Sequence, residues 1–272
     1  MKIGIFDSGF GGLDIFGHVK NSMPSYDFIY LGDTARTPYG SRSQETIYKY
    51  TEQAVDFLFK KDCQLIILAC NTASAEALRK IQQEYLVKNY PDRRVLGVII
   101  PAVEVAVEKS KNKKIGVIAT ESTVKSSAFA DELKKIDQDV QVFQKACPLL
   151  VPIVESSEKN AQIINLVIKN YLKELVDNDI DTLILGCTHY GILKLEIQKA
   201  LSELGSKAVI INEGEIVSQK LQDYLIRHAE IEEKLSKNSS QEFFTTDLTE
   251  KFTEIGSILV GEKIQAQKIS LE

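Results

Sequence analysis

The chain has 272 residues, 44% of them hydrophobic and 26% charged, with a formal net charge of −5. That length and balance describe an ordinary globular protein, with enough apolar surface for one large core or two modest ones. The acidic balance offers no basic face to nucleic acid, and no apolar run approaches the roughly 18 residues needed to cross a bilayer.

Lys2–Phe6 (KIGIF) reads as the first strand. Its apolar run breaks at Asp7 and then becomes glycine-rich, so it does not read as a secretory signal. Asp7-Ser8-Gly9-Phe10-Gly11-Gly12 follows, a turn that can present backbone N–H groups to an anion ahead of a helix. Asp14 stands where a dinucleotide fingerprint needs its third glycine, and the Walker pattern is absent. Asp7 would repel phosphate but could receive an ammonium; the alternative is a solvated aspartate in a tight turn. Phe28–Leu31 reads as the second strand. The loop behind it, through Gly40 (LGDTARTPYG), ends in the Tyr39 hydroxyl and the unencumbered backbone of Gly40, either a binding element or a structural turn.

From Ser43 to Lys60 the residues Ile47, Tyr50, Ala54 and Leu58 share one helical face. Leu65–Ala69 is the third strand, ending in Cys70-Asn71-Thr72, and Ala77, Leu78, Ile81 and Tyr85 form the next helical face. Val95–Ile99 reads as the fourth strand. It lies in an apolar run to Val107 that Pro101 and Glu104 interrupt. Lys114–Ala119, Thr182–Leu185 and Ala208–Ile211 complete the series, with Gly186-Cys187-Thr188-His189-Tyr190 behind the second of these. Near-continuous apolar strands alternating with amphipathic stretches predict an α/β fold of mainly parallel sheets flanked by helices. Ligands in such sheets gather beyond the carboxyl ends of the strands.

An internal repeat is visible. KIG at residues 2–4 recurs at residues 114–116, each time opening a strand, and each copy is followed at a comparable distance by a strand-end cysteine, Cys70 and then Cys187. Two similar halves are expected, with no proline-, glycine- or serine-rich linker. The four cysteines, at 63, 70, 147 and 187, include no C-x-x-C pair, which fits neither a disulfide framework nor a structural zinc site. Free thiols are expected, as in a cytoplasmic protein. Cys63 and Cys147 read as core filler.

Cys70 and Cys187 fall where a strand gives way to a helix, a position at which unpaired N–H groups and the helix dipole lower a thiol pKa. One of only three histidines, His189, stands two residues from Cys187 and can exchange protons with it. Two opposed thiols suit the inversion of a carbon centre. One removes a proton from one face while the other supplies a proton to the opposite face, and the roles then reverse. Nucleophilic or metal roles for the same residues remain open on this reading.

The segments FDSGFGG, YLGDTARTPYG, ACNTAS, IGVIATESTVKSSAF, ACPLLVPIVE and GCTHY resemble, in order and spacing, those of bacterial glutamate racemases of the aspartate/glutamate racemase family. A C-terminal FFTTD stretch is also similar. The resemblance implies interconversion of L- and D-glutamate, supplying D-glutamate for peptidoglycan, with no cofactor and no metal. It implies that Cys70 takes the proton from D-glutamate and Cys187 from L-glutamate. Asp7 would assist the first thiol, His189 the second, and Glu155 would be a further acidic residue beside the second. Substrate-holding positions would be Asp7, Ser8, Tyr39, Gly40, Asn71, Thr72, Thr188 and His189, with Thr120 and Thr123 lining the same cleft. Thr37 departs from the usual apolar residue of the PYG loop, with little effect expected.

The fold the resemblance implies is two similar α/β domains with the active site in the cleft between them. The first would hold residues 1–97 and 213–272, the second 98–212. A cytoplasmic homodimer is expected, with no nucleic-acid or membrane partner. Because the first strand opens the chain, regulation through an N-terminal extension is not expected. Three competing readings are a racemase for aspartate or another acidic amino acid, a zinc enzyme using Cys70, Cys187 and His189, and a non-catalytic partner protein.

Overall fold

The computed structural model describes residues 1–271. The chain separates into two compact units, Met1–Val98 together with the chain from Gly214 onward, and Ile99–Glu213. The described residues contain ten strands: β1 (Lys2–Asp7), β2 (Phe28–Gly32), β3 (Cys63–Leu68), β4 (Arg94–Gly97), β5 (Lys114–Ala119), β6 (Gln141–Ala146), β7 (Thr182–Gly186), β8 (Val209–Ile211), β9 (Gln241–Thr245) and β10 (Ala266–Lys268). In the first unit they form one sheet in the order β10-β9-β2-β1-β3-β4, and in the second β6-β5-β7-β8. Every neighbouring pair is parallel. Helices fill the connections, as parallel strands require.

The two KIG strands occupy equivalent places. β1 lies between β2 and β3, and β5 lies between β6 and β7. Each has a half-buried lysine at its start and then five buried residues. In both units the chain builds its second strand on one side of the first, then crosses to build the third and fourth on the other. The carboxyl ends of the first and third strands then flank a topological switch point, the usual ligand position in an open α/β sheet. β1 ends at Asp7, and Cys70 follows β3. β5 ends at Ala119, and Cys187 follows β7.

Some elements differ from expectation, each for a local reason. The fourth strand stops at Gly97, and Ile99 opens a helix, Ile99–Lys109, rather than ending a strand. Pro101 sits in its first turn, where the missing N–H has no helical partner to lose. The helical face containing Ala77 and Ile81 is real, but the backbone changes pitch along it. Asn71–Glu76, Leu78–Lys80 and Leu86–Asn89 are α-helical, and Ile81–Tyr85 is a π turn. β6 is an edge strand whose residues are mostly half-buried, and its alternating polar sequence, QVFQKA, masks it. β9 and β10 extend the first sheet from the chain's end, β9 pairing with β2 from Phe28↔Gln241 to Gly32↔Thr245.

The tail is anchored at its entry as well. Asp27, buried just before β2, accepts hydrogen bonds from the Asn238 and Ser240 amides, the Ser240 hydroxyl and the Asn238 side chain. Burial pushes its carboxyl up, but donors on Ser236, Ser240 and Asn238 outweigh this and hold it far below the ordinary value of 3.8. No helix among the described residues is long and apolar enough to cross a membrane.

Candidate active site

In the first unit, Asp7 is fully buried at the end of β1, and its carboxylate accepts the Gly9 amide at 3.0 Å. That bond pulls the chain into the turn that aims Ser8 at the neighbouring strand, where Ser8 Oγ lies 3.3 Å from Cys70 Sγ. Gly12 opens the following helix against Asp7, and a Cβ there would stand 2.6 Å from Asp7 Cβ. Cys70 is the N-cap of the short helix Asn71–Glu76, 5% exposed, with Asn71 and Thr72 buried beside it. Ser74 donates to the Leu68 carbonyl at 2.8 Å, fastening that helix to the end of β3.

The expectation of a lowered thiol is corrected at Cys70. Burial raises it most, the Asp7 carboxylate raises it further, and the hydrogen bonds from the Ser8 hydroxyl and the Ala73 and Ser8 amides only partly offset this, leaving it pushed up to about 11. A helix of one and a half turns has little dipole to set against the loss of water and a neighbouring anion. Cys63 and Cys147 are buried core thiols, each pushed by burial to about 12.

Tyr39 and Gly40 lie in a short 3₁₀ turn, Tyr39–Ser41, behind β2. The Tyr39 hydroxyl donates to the fully buried Asp33, which also receives Arg36 Nε at 2.6 Å and the Thr246 hydroxyl at 2.8 Å. Its proton is therefore committed, and the loop's remaining offer is a lone pair on that oxygen and the half-buried backbone of Gly40. Asp33 and Thr246 were not singled out in the sequence. Their only signal was an aspartate inside LGDTARTPYG and a threonine inside FFTTD.

In the second unit, Cys187 is the N-cap of the helix Thr188–Ile192 and is 8% exposed. His189, 2% exposed, places Nδ1 at 4.0 Å from Cys187 Sγ and 3.4 Å from Thr188 Oγ1. Its Nε2 lies 2.7 Å from Glu155 Oε1, at the end of the helix Leu150–Glu155. Tyr190 ties its helix to the turn that leads into Leu150–Glu155 by donating to the Cys147 carbonyl at 3.0 Å, and the Cys147 amide in turn bonds the end of β5 at Ala119. Thr120 caps the helix Glu121–Lys125 through the Thr123 amide, and its hydroxyl lies 2.9 Å from that of the fully buried Thr123. The two threonines are thus held together at the end of β5. Cys187, His189 and Glu155 form a chain along which a proton can move between sulfur, imidazole and carboxylate. Among the described residues, no group of three or more His, Cys, Asp or Glu is placed to hold a metal ion.

Residues 15–221 match the model of the Asp/Glu/hydantoin racemase family. The chain belongs to that family. Among curated racemases of the family, the glutamate racemase of Aquifex pyrophilus is 44% identical over 261 residues, covering 96% of this chain and 94% of its own. The structure of a glutamate racemase isoform from Bacillus anthracis superposes with a TM-score of 0.89 at 34% identity, covering 99% of this chain and 97% of that one. That of the Francisella tularensis glutamate racemase, in complex with D-glutamate, gives 0.88 at 35% identity, covering 100% and 98%. The racemase fold is accordingly two sheets of parallel strands flanked by helices, and the protein is an amino-acid racemase.

Proposed function

We propose that this racemase interconverts L- and D-glutamate without a cofactor, by two-base proton transfer at Cα between Cys70 and Cys187. The observation that carries the reading is the equivalence of the two thiols. Each follows the third strand of the same strand order, caps a short helix and has a proton-handling side chain within its own unit, Asp7 for one and His189 with Glu155 for the other. The full-length relatives named as glutamate racemases support the substrate.

Cys187 removes the Cα proton of L-glutamate while Cys70 delivers one to the opposite face, and D-glutamate reverses the roles. Each thiol must therefore serve as acid and as base. Asp7 receives the substrate ammonium and assists Cys70, and His189, oriented by Glu155, relays the proton of Cys187. Ser8, Gly40, Asn71, Thr72, Thr120 and Thr188 offer hydroxyls and amide groups to the two carboxylates, with Tyr39 and Thr123 shaping the loops that hold them. The first unit, Met1–Val98 with the chain from Gly214 onward, contributes Cys70, and the second, Ile99–Glu213, contributes Cys187. The reading includes a cytoplasmic homodimer that supplies D-glutamate for peptidoglycan. An aspartate racemase is the second reading, since the matching family model spans aspartate enzymes as well.

Incubation of either glutamate enantiomer with the purified protein in heavy water, with no cofactor added, should place deuterium at Cα of the product. Cys70→Ala and Cys187→Ala should each lower kcat/KM by about a thousandfold or more while circular dichroism stays unchanged. Because enantiomers have equal free energy, the loss must be equal in the two directions. Turnover of aspartate alone would replace the substrate, and a wild-type rate in either variant would end the two-thiol assignment.

A further inference from the structure

The loop that carries Tyr39 and Gly40 is fastened by the far end of the chain. Its anchor is the fully buried Asp33, just past β2. One carboxylate oxygen, Oδ2, takes both donors from the loop, the Tyr39 hydroxyl and Arg36 Nε. The other, Oδ1, takes the Thr246 hydroxyl at 2.8 Å, and that hydroxyl oxygen in turn accepts the Ala35 amide at 2.9 Å. One side chain from the residue after β9 therefore joins the anchoring carboxylate to the loop's backbone. Neighbouring bonds keep Thr246 in register. Its own amide bonds the Gly32 carbonyl at 3.1 Å, and the Thr34 hydroxyl donates to the Asp247 carbonyl at 2.8 Å and accepts the Asp247 amide at 2.9 Å. On the loop's other side, Arg36 Nη1 donates to Gln53 Oε1 at 2.6 Å, and the guanidinium lies 4.0 Å from the centroid of the Tyr50 ring, which packs against Tyr39. Tyr39, Cys70 and Phe244 of β9 belong to one buried cluster, so the loop is packed in the same core as the thiol. Burial raises the Tyr39 phenol most, Asp33 raises it further and Arg36 opposes them, so Tyr39 keeps its proton and remains a donor to Asp33.

We propose that Thr246 is a positioning residue of the racemase, its hydroxyl acting through Asp33 and the Ala35 amide to hold the Tyr39–Gly40 backbone where it meets a substrate carboxylate. The role of Gly40 rests on the reading given under Proposed function; the fastening of the loop does not. Without that hydroxyl a buried carboxylate oxygen loses its donor and a loop amide loses its acceptor. The loop has little else to hold it, since its two 3₁₀ turns are three residues each, closed by the Arg36 amide on the Asp33 carbonyl and the Arg42 amide on the Tyr39 carbonyl. A loop that grips a carboxylate away from Cα holds the substrate alike before and during proton transfer. Its loss therefore falls on KM and spares kcat.

Thr246→Val removes the hydroxyl and keeps the branched shape, whereas Thr246→Ser keeps the hydroxyl. Racemisation kinetics are measured from both enantiomers, and amide hydrogen exchange of residues 33–42 is followed by mass spectrometry without substrate. Thr246→Val should raise KM about tenfold for each enantiomer and leave kcat within about twofold, the scale of one hydrogen bond to a charged group. Exchange across residues 33–42 should quicken by about tenfold or more, as local opening becomes easier. Thr246→Ser should return both readings to near the wild type. Thr246→Ala, which cannot crowd the site, replaces the valine variant if that one does not fold, with the same expected readings. Asp27→Asn is the control for a merely loosened tail, because it acts at Ser236–Ser240 and touches neither Asp33 nor the loop. It should leave KM unchanged. Unchanged exchange in the variant lacking the hydroxyl, faster exchange with unchanged KM, or an equal rise of KM in Asp27→Asn would each overturn the assignment. A wild type that turns over aspartate and not glutamate refutes the substrate reading alone, and the same comparison of KM is then made with aspartate.

Discussion

Gly12 lacks a side chain where Asp7 occupies the space one would need, with only 2.6 Å between Asp7 Cβ and a Cβ built at position 12. Both partners are held by backbone, Asp7 as the last residue of β1 and Gly12 as the first of a helix, so neither can swing aside as the end of a flexible chain could. Gly12→Ala is therefore expected to displace the Asp7 carboxylate from the Gly9 amide and from Cys70. The cost to stability should be on the order of 1–3 kcal/mol, as for other overpacked sites. Racemisation should fall further than stability explains. A chemical denaturation curve with a circular dichroism control measures the first, and kcat/KM the second. Full activity in Gly12→Ala would show that the close approach does not matter to Asp7. The strand-end placement of Asp7, Cys70 and Cys187 was legible in the sequence, because an apolar run followed by polar residues is a local signal. The commitment of the Tyr39 hydroxyl was not. Its acceptor, Asp33, is completed by Thr246, 213 positions further along the chain, and no pattern of spacing reports such a pair.

At the scale of elements, the strands that were legible are those buried on both faces, such as β1, β3 and β7, whose composition alone marks them. β6, β9 and β10 were hidden because edge or tail strands mix polar residues with apolar ones. β9 reaches β2 because Asp27 gathers the segment from Ser236 to Ser240 around one carboxylate. The folded state holds Asp27 far below 3.8. Its contribution to stability is therefore present above the ordinary carboxylate range and is lost as pH falls through that range and below it. Asp27→Asn keeps the shape but loses the charge that its donors surround. It should cost roughly 2–3 kcal/mol at neutral pH, the scale of hydrogen bonds to a charged group. The gap between wild type and variant should close as the pH drops below about 4, where the carboxyl of the unfolded wild-type chain takes up a proton while the folded one stays ionised. Urea midpoints measured across acid pH test this. A gap that stays constant would mean the charge of Asp27 contributes nothing to holding the tail.

At the scale of the whole molecule, each unit holds one inert thiol as well as one thiol at a strand end facing a helix. Cys63 lies in the sheet of the first unit and Cys147 just past β6 in the second, and burial raises each from 9.0 to about 12. The sign of the consequence follows from proton counting. A folded-state value above the unfolded one means that the unfolded chain releases its proton first as pH rises. The stability each thiol adds is then complete below pH 9 and is lost progressively as pH climbs through the folded value near 12. Buried tyrosines such as Tyr39 and Tyr190, also raised by burial, act in the same direction and set a common background. The double variant Cys63→Ala, Cys147→Ala separates the thiols from that background. It should be less stable than the wild type at neutral pH, because two small cavities replace sulfur, by about 1–2 kcal/mol per site. Between pH 9 and 11 its denaturation midpoint should fall less steeply than that of the wild type, since it has two fewer groups to deprotonate. Parallel slopes for the two proteins would show that neither core thiol resists ionisation in the folded state. The alkaline limit of the fold would then lie with the tyrosines and lysines alone.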